Sequence, residues 1–565
     1  MTDPATSASA DAAPGLSRDS TNRKRTSLGA VFTRRWVADL VLDLAGYTAD
    51  APLAECIAIE PACGPGSFVS AMAERLVDSC RMHGTDIASA TGAIVAIDID
   101  PLAVTASRRL VCEALVNRGV DAVAAHDLAQ AWVRQGDFLL VADTLPRARW
   151  VVGNPPYVRL EEVDPDAMQS YRRRWTTMTG RADLYVGFIE ASLGLLADEG
   201  RLSFICADRW MRNQYGAKLR ELVVQSYAVD ACVVLHEVDA FEDRVAAYPA
   251  VVVLRAGEQR QALVHDAEEG FDEAAAGRLV EAWMHGPTSA PAAERFTWAP
   301  GWFHTTGSWP SGSPRQLALL SDLESRFPTL EEAGVKVSVG AATGADDVYV
   351  TASAASIEPD RLLKVLGGRE VSSGRIKWNG RYLVNPWEPD GLVSLDDYPG
   401  MAKYLRSHER RIAERHVARS RPSQWWRTID RIYPDGATTP KLLVPDLKDR
   451  LFPVLDVGEY YPMHSLCYLT SSVWDLEVLG GLLLSDLANL FVSAYSVRMA
   501  NGYMRVSAQY LRRVRIPQSG EIPEHIKPEL AAAFRARDVA RASGAAAHAY
   551  GIELAARGGT GGSGV

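Results

Sequence analysis

The sequence predicts an α/β protein in which a sheet is covered by helices on both faces and is followed by a second domain of the α+β class. The first observation is that apolar runs of strand length alternate with helical patterns between about residues 27 and 256. Such alternation is typical of parallel strands joined by crossover helices. The second is a change of composition: an Ala-, Glu-, Gly- and Pro-rich segment follows, and beyond it lie shorter stretches rich in Trp, Tyr, Arg and Gly.

Six apolar runs are short enough to be strands and contain the β-branched residues that strands favour. In chain order they are "CIAIE", "GAIVAID", "RWVVGN", "RLSFIC", "ACVVLH" and "AVVVLRA". The segments between the first runs carry apolar residues three and four positions apart, which predicts helices that pack on the sheet.

The chain of 565 residues is long enough for two hydrophobic cores, and its patterns predict five segments. Residues 1–26 are rich in Ala, Ser, Thr and Asp without periodicity, and predict a disordered leader. We expect residues 27–256 to form the first domain, 257–320 a connector, 321–520 the second domain, and 521–565 a tail that is partly helical and partly disordered.

Bulk composition excludes several classes of protein. With 47% hydrophobic and 23% charged residues, the chain is neither fibrous nor disordered as a whole. Its seven cysteines lack metal-ligand spacing, so we expect reduced thiols, no metal site and a cytoplasmic location. Neither a signal peptide nor a long apolar segment stands out, so we expect no membrane association.

The charge of the chain is unevenly distributed. The net charge of −10 argues against a nucleic-acid partner, but residues 403–431 are strongly basic and contain Trp425 and Trp426, and residues 505–517 are basic as well. Any one Arg-rich helix is more often a solvated face with ion pairs. Two such stretches in one half of the chain also fit a surface that follows phosphates, and both interpretations stay open.

Two turns at the ends of predicted strands fit a nucleoside ligand. The first strand ends at Glu60, and a turn containing Gly64 and Gly66 opens the next helix, where glycines allow a ligand to approach the backbone. The full dinucleotide fingerprint and a Walker lysine do not follow. The next strand ends at Asp98, whose carboxylate could accept the hydroxyls of a ribose or cap a helix.

The third motif is "GNPPY", residues 153–157, at the end of the run "RWVVGN". Two prolines cannot continue a sheet, because each lacks the backbone N–H that a ladder needs. The Asn154 side chain and the Pro155 carbonyl could accept two N–H groups from a primary amine, and Tyr157 offers a ring for stacking. An ordinary turn that ends a strand is the alternative.

The ordered segments "LGAVFTRRWVADLVLDLAG", "EPACGPGSF", "AIDIDP", "QGDFLL" and "GNPPY" resemble the N6-adenine DNA methyltransferases of the gamma class, specifically the TaqI-like enzymes. The resemblance extends over about residues 27–520. It implies a class I S-adenosylmethionine-dependent methyltransferase fold with a Rossmann-like mixed sheet, and a C-terminal α+β target-recognition domain. The motif NPPY alone is only moderately specific, because methyltransferases that act on protein glutamine and on some RNA bases carry it.

The resemblance implies S-adenosylmethionine as the cofactor and assigns eight residues to it. These are Thr33 for the methionine carboxylate, Glu60, Ala62 and Gly64 for the methionine end and the sulfonium, Asp98 for the ribose, and Ile99, Asp137 and Phe138 for the adenine.

For the substrate, the resemblance implies an adenine rotated out of double-stranded DNA, since its amine cannot be reached in the base stack. Tyr157 would stack on this base, and Phe241 would pack against its edge. Asn154 and the Pro155 carbonyl would accept the hydrogens of the amine and direct its lone pair toward the methyl group. No cysteine or histidine nucleophile is needed.

The resemblance also predicts how the chain recognises DNA. The candidates for contact with phosphates or bases are Arg369, Arg381, Lys448 and Arg450. We expect a monomer that acts in a restriction-modification or other phage-defence system, with a cognate restriction endonuclease or other defence proteins as partners.

Three alternatives remain: a methyltransferase for RNA or protein glutamine, a DNA-binding module that has lost its activity, and a bifunctional subunit with an endonuclease. The first class is usually shorter, with recognition parts ahead of the catalytic domain. The second predicts loss of Asn154, Asp98 or the glycine turn, all of which are present. For the third, "VPDLKDR" superficially resembles a nuclease cluster, but its place in the recognition-domain pattern favours a strand and turn.

Overall fold

The computed structural model divides into two compact units, Met1–Trp309 and Pro310–Val565. The residues that the structure describes are 31–242, 248–287, 297–299, 303, 306–310, 312, 314–353, 355–496 and 503–552. The predicted disordered leader, residues 1–26, and the last part of the predicted tail lie outside these described residues.

The first unit is built on one sheet of nine strands with the order β3-β2-β1-β4-β5-β7-β6-β8-β9. The strands are β1 (Ala58–Glu60), β2 (Ile94–Asp98), β3 (Val133–Gln135), β4 (Ala148–Gly153), β5 (Leu196–Ala207), β6 (Tyr227–Val234), β7 (Pro249–Ala256), β8 (Ala262–Asp266) and β9 (Thr297–Ala299). The order reverses at β1, which pairs in parallel with both β2 and β4. Such a reversal opens a crevice at the carboxyl ends of the strands, where doubly wound sheets bind ligands.

Ten helices of the first unit are described. They are α1 (Arg35–Ala45), α2 (Ser67–His83), α3 (Pro101–Asn117), α4 (Ala122–Trp132), α5 (Phe138–Val141), α6 (Pro165–Arg174), α7 (Leu184–Gly194), α8 (Arg209–Arg212), α9 (Ala217–Ser226) and α10 (Glu273–His285). The pleat of the strands divides the core between two faces: Val152 of β4 packs in one buried cluster, and its neighbour Val151 packs in the other. The predicted α/β class with helices on both faces is therefore confirmed.

The sheet is mixed rather than parallel throughout. Strand β7 lies between β5 and β6 and runs antiparallel to both. No helix lies among the described residues between β6 and β7. Because a parallel return needs a crossover, β7 pairs with β6 in the opposite direction instead. This agrees with the mixed sheet that the family resemblance implies, and corrects the parallel sheet expected from the alternation alone.

The expected connector, residues 257–320, is partly structured. Strand β8 pairs in parallel with β6, and β9 pairs antiparallel with β8. Helix α10 lies between them in sequence, and buries Ala276, Leu279 and Ala282. The expectation of a connector is wrong for these elements, because a few apolar residues in an Ala- and Glu-rich segment suffice to add two strands to an existing sheet edge.

The second unit combines several small sheets with helices. Its strands are β10 (Lys336–Val339), β11 (Val350–Thr351), β12 (Leu362–Leu366), β13 (Tyr382–Val384), β14 (Trp387–Glu388), β15 (Gly391–Leu392), β16 (Lys441–Pro445), β17 (Leu447–Lys448), β18 (Val454–Asp456), β19 (Tyr461–Pro462), β20 (Leu466–Thr470) and β21 (Met504–Arg505). Two sheets have four strands, in the orders β10-β20-β16-β18 and β11-β13-β12-β19, and two have a single pair each, β14-β15 and β17-β21. This unit is α+β, as predicted.

Twelve helices of the second unit are described, and the last two lie in the predicted tail. They are α11 (Pro314–Arg326), α12 (Asp346–Tyr349), α13 (Gly368–Val371), α14 (Pro399–Ser407), α15 (Glu409–Ala413), α16 (His416–Arg419), α17 (Asp435–Thr438), α18 (Leu476–Leu484), α19 (Asp486–Tyr495), α20 (Ala508–Leu511), α21 (Ile526–Ala536) and α22 (Val539–Ala549). Among the described residues, no single helix is long and apolar enough to cross a membrane; α18 and α19 reach that length only as a pair bent by 63°.

Candidate functional site

A cavity of about 540 Å³ opens at the carboxyl ends of β1, β2 and β4 in the first unit. It lies at the reversal of the strand order, where the residues that follow each strand face a shared space. Ten of the residues predicted from the sequence line this one cavity: Thr33, Glu60, Ala62, Gly64, Asp98, Ile99, Asp137, Phe138, Asn154 and Pro155. These residues come from five separate segments of the chain, and the fold brings all of them together.

The turn after β1 is tied to the end of β2 by a carboxylate. One oxygen of Asp98 accepts the backbone N–H of Gly64 at 2.8 Å, and the other accepts that of Asp100 at 2.9 Å. Asp98 is therefore not the cap of α3; that position belongs to Asp100, whose carboxylate accepts the N–H of Leu102 at 2.9 Å. The Asp98 carboxylate thus holds the glycine turn in place at the wall of the cavity.

Gly66 has to be a glycine for two physical reasons. Its φ is +108°, where L side chains are strained, and a Cβ there would lie 2.9 Å from Oγ and 3.0 Å from Cα of Ser107. We expect Gly66→Ala to lower the free energy of unfolding by roughly 3 kcal/mol, the sum of backbone strain and overpacking. The measurement is the midpoint of urea unfolding.

The matched control for this variant is Gly84→Ala at the end of α2. Gly84 has φ +70°, and a Cβ there would meet nothing within 4 Å, so this variant adds strain without a clash. We expect it to cost only about 1 kcal/mol. Equal losses in both variants would contradict the close contact between the turn and α3.

Two of the carboxyl groups that line the cavity, those of Glu60 and Asp98, have raised pKa values. Burial raises the pKa of Glu60 well above its ordinary value, and the neighbouring charge of Asp98 raises it further. Burial also raises the pKa of Asp98, although the N–H groups of Asp100 and Gly64 oppose the shift. Among the described residues, the Glu60 Oε2 atom is buried without a hydrogen-bond partner. A cationic ligand would supply the missing partner and stabilise both carboxylates.

The cavity lining also includes Asp137, which directly precedes α5. One Asp137 oxygen caps that helix by accepting the N–H of Leu139 at 3.1 Å, and the other accepts the hydroxyl of Tyr171 at 2.6 Å. Phe138 is buried and stacks on Phe188 with ring centroids 5.2 Å apart. This part of the cavity lining therefore contains a carboxylate next to an apolar aromatic surface.

Asn154 directly follows β4, and the hydrogen bonds of its side chain are made by Nδ2. Its Nδ2 donates to the carbonyl of Val31 at 3.1 Å and to Oγ1 of Thr33 at 3.2 Å. These contacts orient the amide, because a carbonyl can only accept. Its Oδ1 is buried, and has no hydrogen-bond partner among the described residues. An acceptor in this state is ready to receive an N–H from a ligand.

Tyr157 and Phe241 lie close to each other, outside the residues that line the cavity. Their ring centroids are 6.2 Å apart with an interplanar angle of 79°. Phe241 is fixed by a short antiparallel contact with Thr33, in which Arg34 N–H donates to the Ala240 carbonyl at 3.1 Å. The N-terminal segment at Thr33 thus contacts the cavity, Asn154 and the Phe241 segment at once.

Three of the four cationic residues proposed for DNA contact surround α13 in the second unit. Arg369 is exposed on this helix, Arg381 lies 3.3 Å from Glu370, and Lys448 donates to the Ser372 carbonyl at 3.1 Å. Arg450 is placed differently: its guanidinium lies 2.9 Å from Asp486 at the start of α19. Arg450 therefore links two parts of the second unit.

Some residues of the two basic stretches, 403–431 and 505–517, form contacts within the second unit. Arg415 is buried and donates to the carbonyls of Thr343, Trp425 and Arg427, and Trp425 and Trp426 pack against the core of the second unit. In the other stretch, Arg512 pairs with Glu331 at 2.9 Å. Much of this charge is thus engaged within the unit.

Sequence reasoning missed Tyr171 and a buried ionic cluster around Asp208. Tyr171 lines the cavity and bonds Asp137, yet it lies in α6, an otherwise polar helix. The signal was present: Met168 and Tyr171, three positions apart, are the apolar pair of that helix and its buried residues. The Asp208 cluster joins residues far apart in sequence and left no local signal.

Comparison with known families gives two matches. Residues 149–241 match the Eco57I restriction-modification methylase family, and residues 363–517 match the TaqI-like C-terminal specificity domain. The first match begins at the second residue of β4 and covers the "GNPPY" turn and the segment up to Phe241. The second covers most of the second unit.

Similar proteins extend over nearly the whole chain. The Type II methyltransferase M.PaeR7I of Pseudomonas aeruginosa is 40% identical over 95% of this chain and 94% of its own length. The Type II methyltransferase M.XhoI of Xanthomonas vasicola is 39% identical over 94% of this chain and 98% of its own length. In structure, the chain resembles the Type IIL restriction-modification enzyme MmeI in complex with DNA, with a TM-score of 0.58, 12% identity, and coverage of 96% of this chain and 76% of MmeI.

Proposed function

Since this chain belongs to the Type II methyltransferases of restriction-modification systems, we propose that it transfers a methyl group from S-adenosylmethionine to the N6 amine of an adenine in double-stranded DNA. The observation that carries the proposal is the Oδ1 atom of Asn154, which is buried and unpartnered among the described residues, in a cavity that is also lined by the carboxyl groups of Glu60 and Asp98. An amine that is to be methylated needs such an acceptor.

The cavity suits a cofactor that is cationic at one end and a nucleoside at the other. S-adenosylmethionine, when bound, supplies a methyl group activated by its sulfonium. Glu60, with its unpartnered buried Oε2, would hold the cationic end, with Ala62, Gly64 and Thr33 beside it. Asp98 would accept from the ribose hydroxyls, and Ile99, Asp137 and Phe138 would enclose the adenine.

Asn154 and Pro155 would prepare the amine of the substrate base. The lone pair of an exocyclic amine is delocalised into the ring, which makes the nitrogen a poor nucleophile. When Oδ1 of Asn154 and the Pro155 carbonyl accept its two hydrogens, the lone pair is drawn out of the ring and directed at the cavity. Val31 and Thr33 keep Asn154 from rotating, because both accept from its Nδ2.

Tyr157 would supply the stacking surface for a base that has left the duplex, and Phe241 would meet its edge. We expect Tyr157→Ala to lower kcat/KM for DNA by about 30-fold, since stacking of one base contributes roughly 2 kcal/mol. Tyr157→Phe should stay within about threefold of the wild type, because the buried hydroxyl has no partner among the described residues. The measurement is steady-state methylation of a duplex. A Phe variant as impaired as the Ala variant would contradict a stacking role.

The second unit would recognise the DNA, in line with its match to a TaqI-like specificity domain. Arg369, Arg381 and Lys448, which surround α13, are the proposed contacts with phosphates or base edges. Arg450, which also forms an ion pair with Asp486 at 2.9 Å, is the fourth proposed contact.

The proposed function is tested by expressing the chain in a host that lacks DNA methylation. Long-read sequencing of the host DNA should show modified adenines within one short recognition sequence. The absence of modified adenine, with the protein present and folded, would overturn the proposal. Methylation of RNA or of protein glutamine in the same cells would favour the alternative that the motif NPPY leaves open.

A further inference from the structure

Asp208 lies at the end of β5 in a buried ionic cluster. Its carboxylate and the guanidinium of Arg212 form an ion pair, and its Oδ2 lies 2.7 Å from Nε2 of His236. The side chains of Asp208, Arg212 and His236 are 0%, 3% and 8% exposed. Since a carboxylate oxygen accepts, His236 donates from Nε2. Both donors contact the same oxygen, Oδ2, and offset the cost of burying the charge of the carboxylate.

This cluster holds the chain on both sides of Phe241. His236 precedes Phe241 by five residues, and Tyr248 follows it by seven. Asp208 contacts both flanks: its carboxylate takes the His236 hydrogen bond, and its backbone N–H donates to the Tyr248 carbonyl at 3.1 Å. The rings of His236 and Tyr248 also meet edge to face, with centroids 5.1 Å apart. The two flanks of Phe241 are thus tied to one residue.

Asp208 directly follows β5, and Tyr157 follows the neighbouring parallel strand β4, so both residues lie at the same edge of the sheet. Burial raises the pKa of Tyr157 well above its ordinary value, and the charges of Cys206 and Asp208 raise it further. Among the described residues, Oδ1 of Asp208 and the hydroxyl of Tyr157 are both buried without a hydrogen-bond partner. The cluster therefore lies at the same sheet edge as Tyr157 and anchors the segment that carries Phe241.

We propose that Asp208 and His236 are positioning residues that fix the placement of the Phe241 ring relative to the Tyr157 ring, the two rings that the target base contacts. The inference rests on the proposed function, because it assigns these two rings to the base. Arg212 balances the charge of Asp208, and the His236 hydrogen bond fixes the Phe241 segment. Without that bond the base is held less accurately while the cofactor cavity, lined by other residues, stays intact.

The test uses the full-length protein and the variant His236→Phe, which keeps an aromatic ring but removes the donor. The readouts are the single-turnover rate of DNA methylation, expressed per cofactor-binding enzyme, and the Kd for S-adenosylmethionine. We expect the rate to fall by about 100-fold, as for a misplacement near 1 Å, while the Kd stays within about twofold. His236→Gln, which restores an N–H donor, should recover the rate to within about fivefold of the wild type.

The matched control is Asp230→Asn, because Asp230 forms an ion pair with Arg255 at 2.8 Å across β6 and β7 of the same sheet, outside the cavity. It should leave the rate per enzyme unchanged. If His236→Phe binds no cofactor, Asp208→Asn takes its place with the same expected fall. An unchanged rate in the tested variant, equal losses in Asp230→Asn, or no recovery in His236→Gln would overturn the inference. A wild type that methylates no adenine would overturn the proposed function instead.

Discussion

Asn154→Ala is expected to lower the single-turnover rate of methylation by roughly 1,000-fold, measured at saturating cofactor and DNA. The variant removes Oδ1, the buried acceptor that has no partner among the described residues. Without it, one N–H of the substrate amine stays unpaired in the site, and its lone pair remains delocalised in the ring. The Pro155 carbonyl alone cannot compensate, because it accepts only the second hydrogen.

The matched variant is Asn154→Asp, which keeps an acceptor oxygen but replaces the Nδ2 donor that bonds Val31 and Thr33. We expect it to be less active than the wild type and more active than Asn154→Ala. If Asn154→Ala retained a rate within tenfold of the wild type, the assigned role of the side chain would be wrong.

Asp98→Ala is expected to weaken the binding of S-adenosylmethionine by about 100-fold, measured by titration calorimetry. This factor corresponds to about 2.7 kcal/mol, which is what hydrogen bonds from two ribose hydroxyls to a carboxylate can contribute. The same carboxylate also holds the glycine turn through the N–H groups of Gly64 and Asp100. Both effects act on the cofactor, so the Kd for DNA without cofactor should change little.

Asp121→Ala is the control for Asp98→Ala, because it removes a carboxylate that also accepts two backbone N–H groups. Asp121 caps α4 by accepting from Val123 at 3.0 Å and Ala124 at 3.2 Å, and it does not line the cavity. We expect it to lower stability by about 1 kcal/mol with no change in cofactor Kd. A similar loss of affinity in both variants would mean that Asp98 acts only through the fold.

Much of the first unit was predictable from local patterns. Strands such as β4 and β7 are continuous apolar runs, since both faces of the sheet are covered. The residues after β1, β2 and β4 could be placed in one site because the carboxyl ends of parallel neighbours share one edge. Strands β3 and β9 have three residues each, too few for a period of two to be recognised.

Contacts between residues that are far apart in sequence could not be predicted from local patterns. Asp208 and His236 are 28 residues apart, and each has the local setting of a common turn residue. In the second unit, nothing in the local sequence distinguishes Arg415 from the other arginines of its basic stretch. Its side chain nevertheless donates hydrogen bonds to backbone carbonyls in the interior. Charge along the sequence did not separate such internal partners from exposed cations like Arg369.

The most direct test of the proposed adenine-N6 methylation is the identity of the methylated nucleoside. Purified protein is incubated with duplex DNA and S-adenosylmethionine that carries a deuterated methyl group. The DNA is then hydrolysed to nucleosides, which are separated and identified by mass spectrometry. We expect the label on the N6 nitrogen of deoxyadenosine, and its loss in Asn154→Ala. Label on deoxycytidine, or DNA without any label, would contradict it.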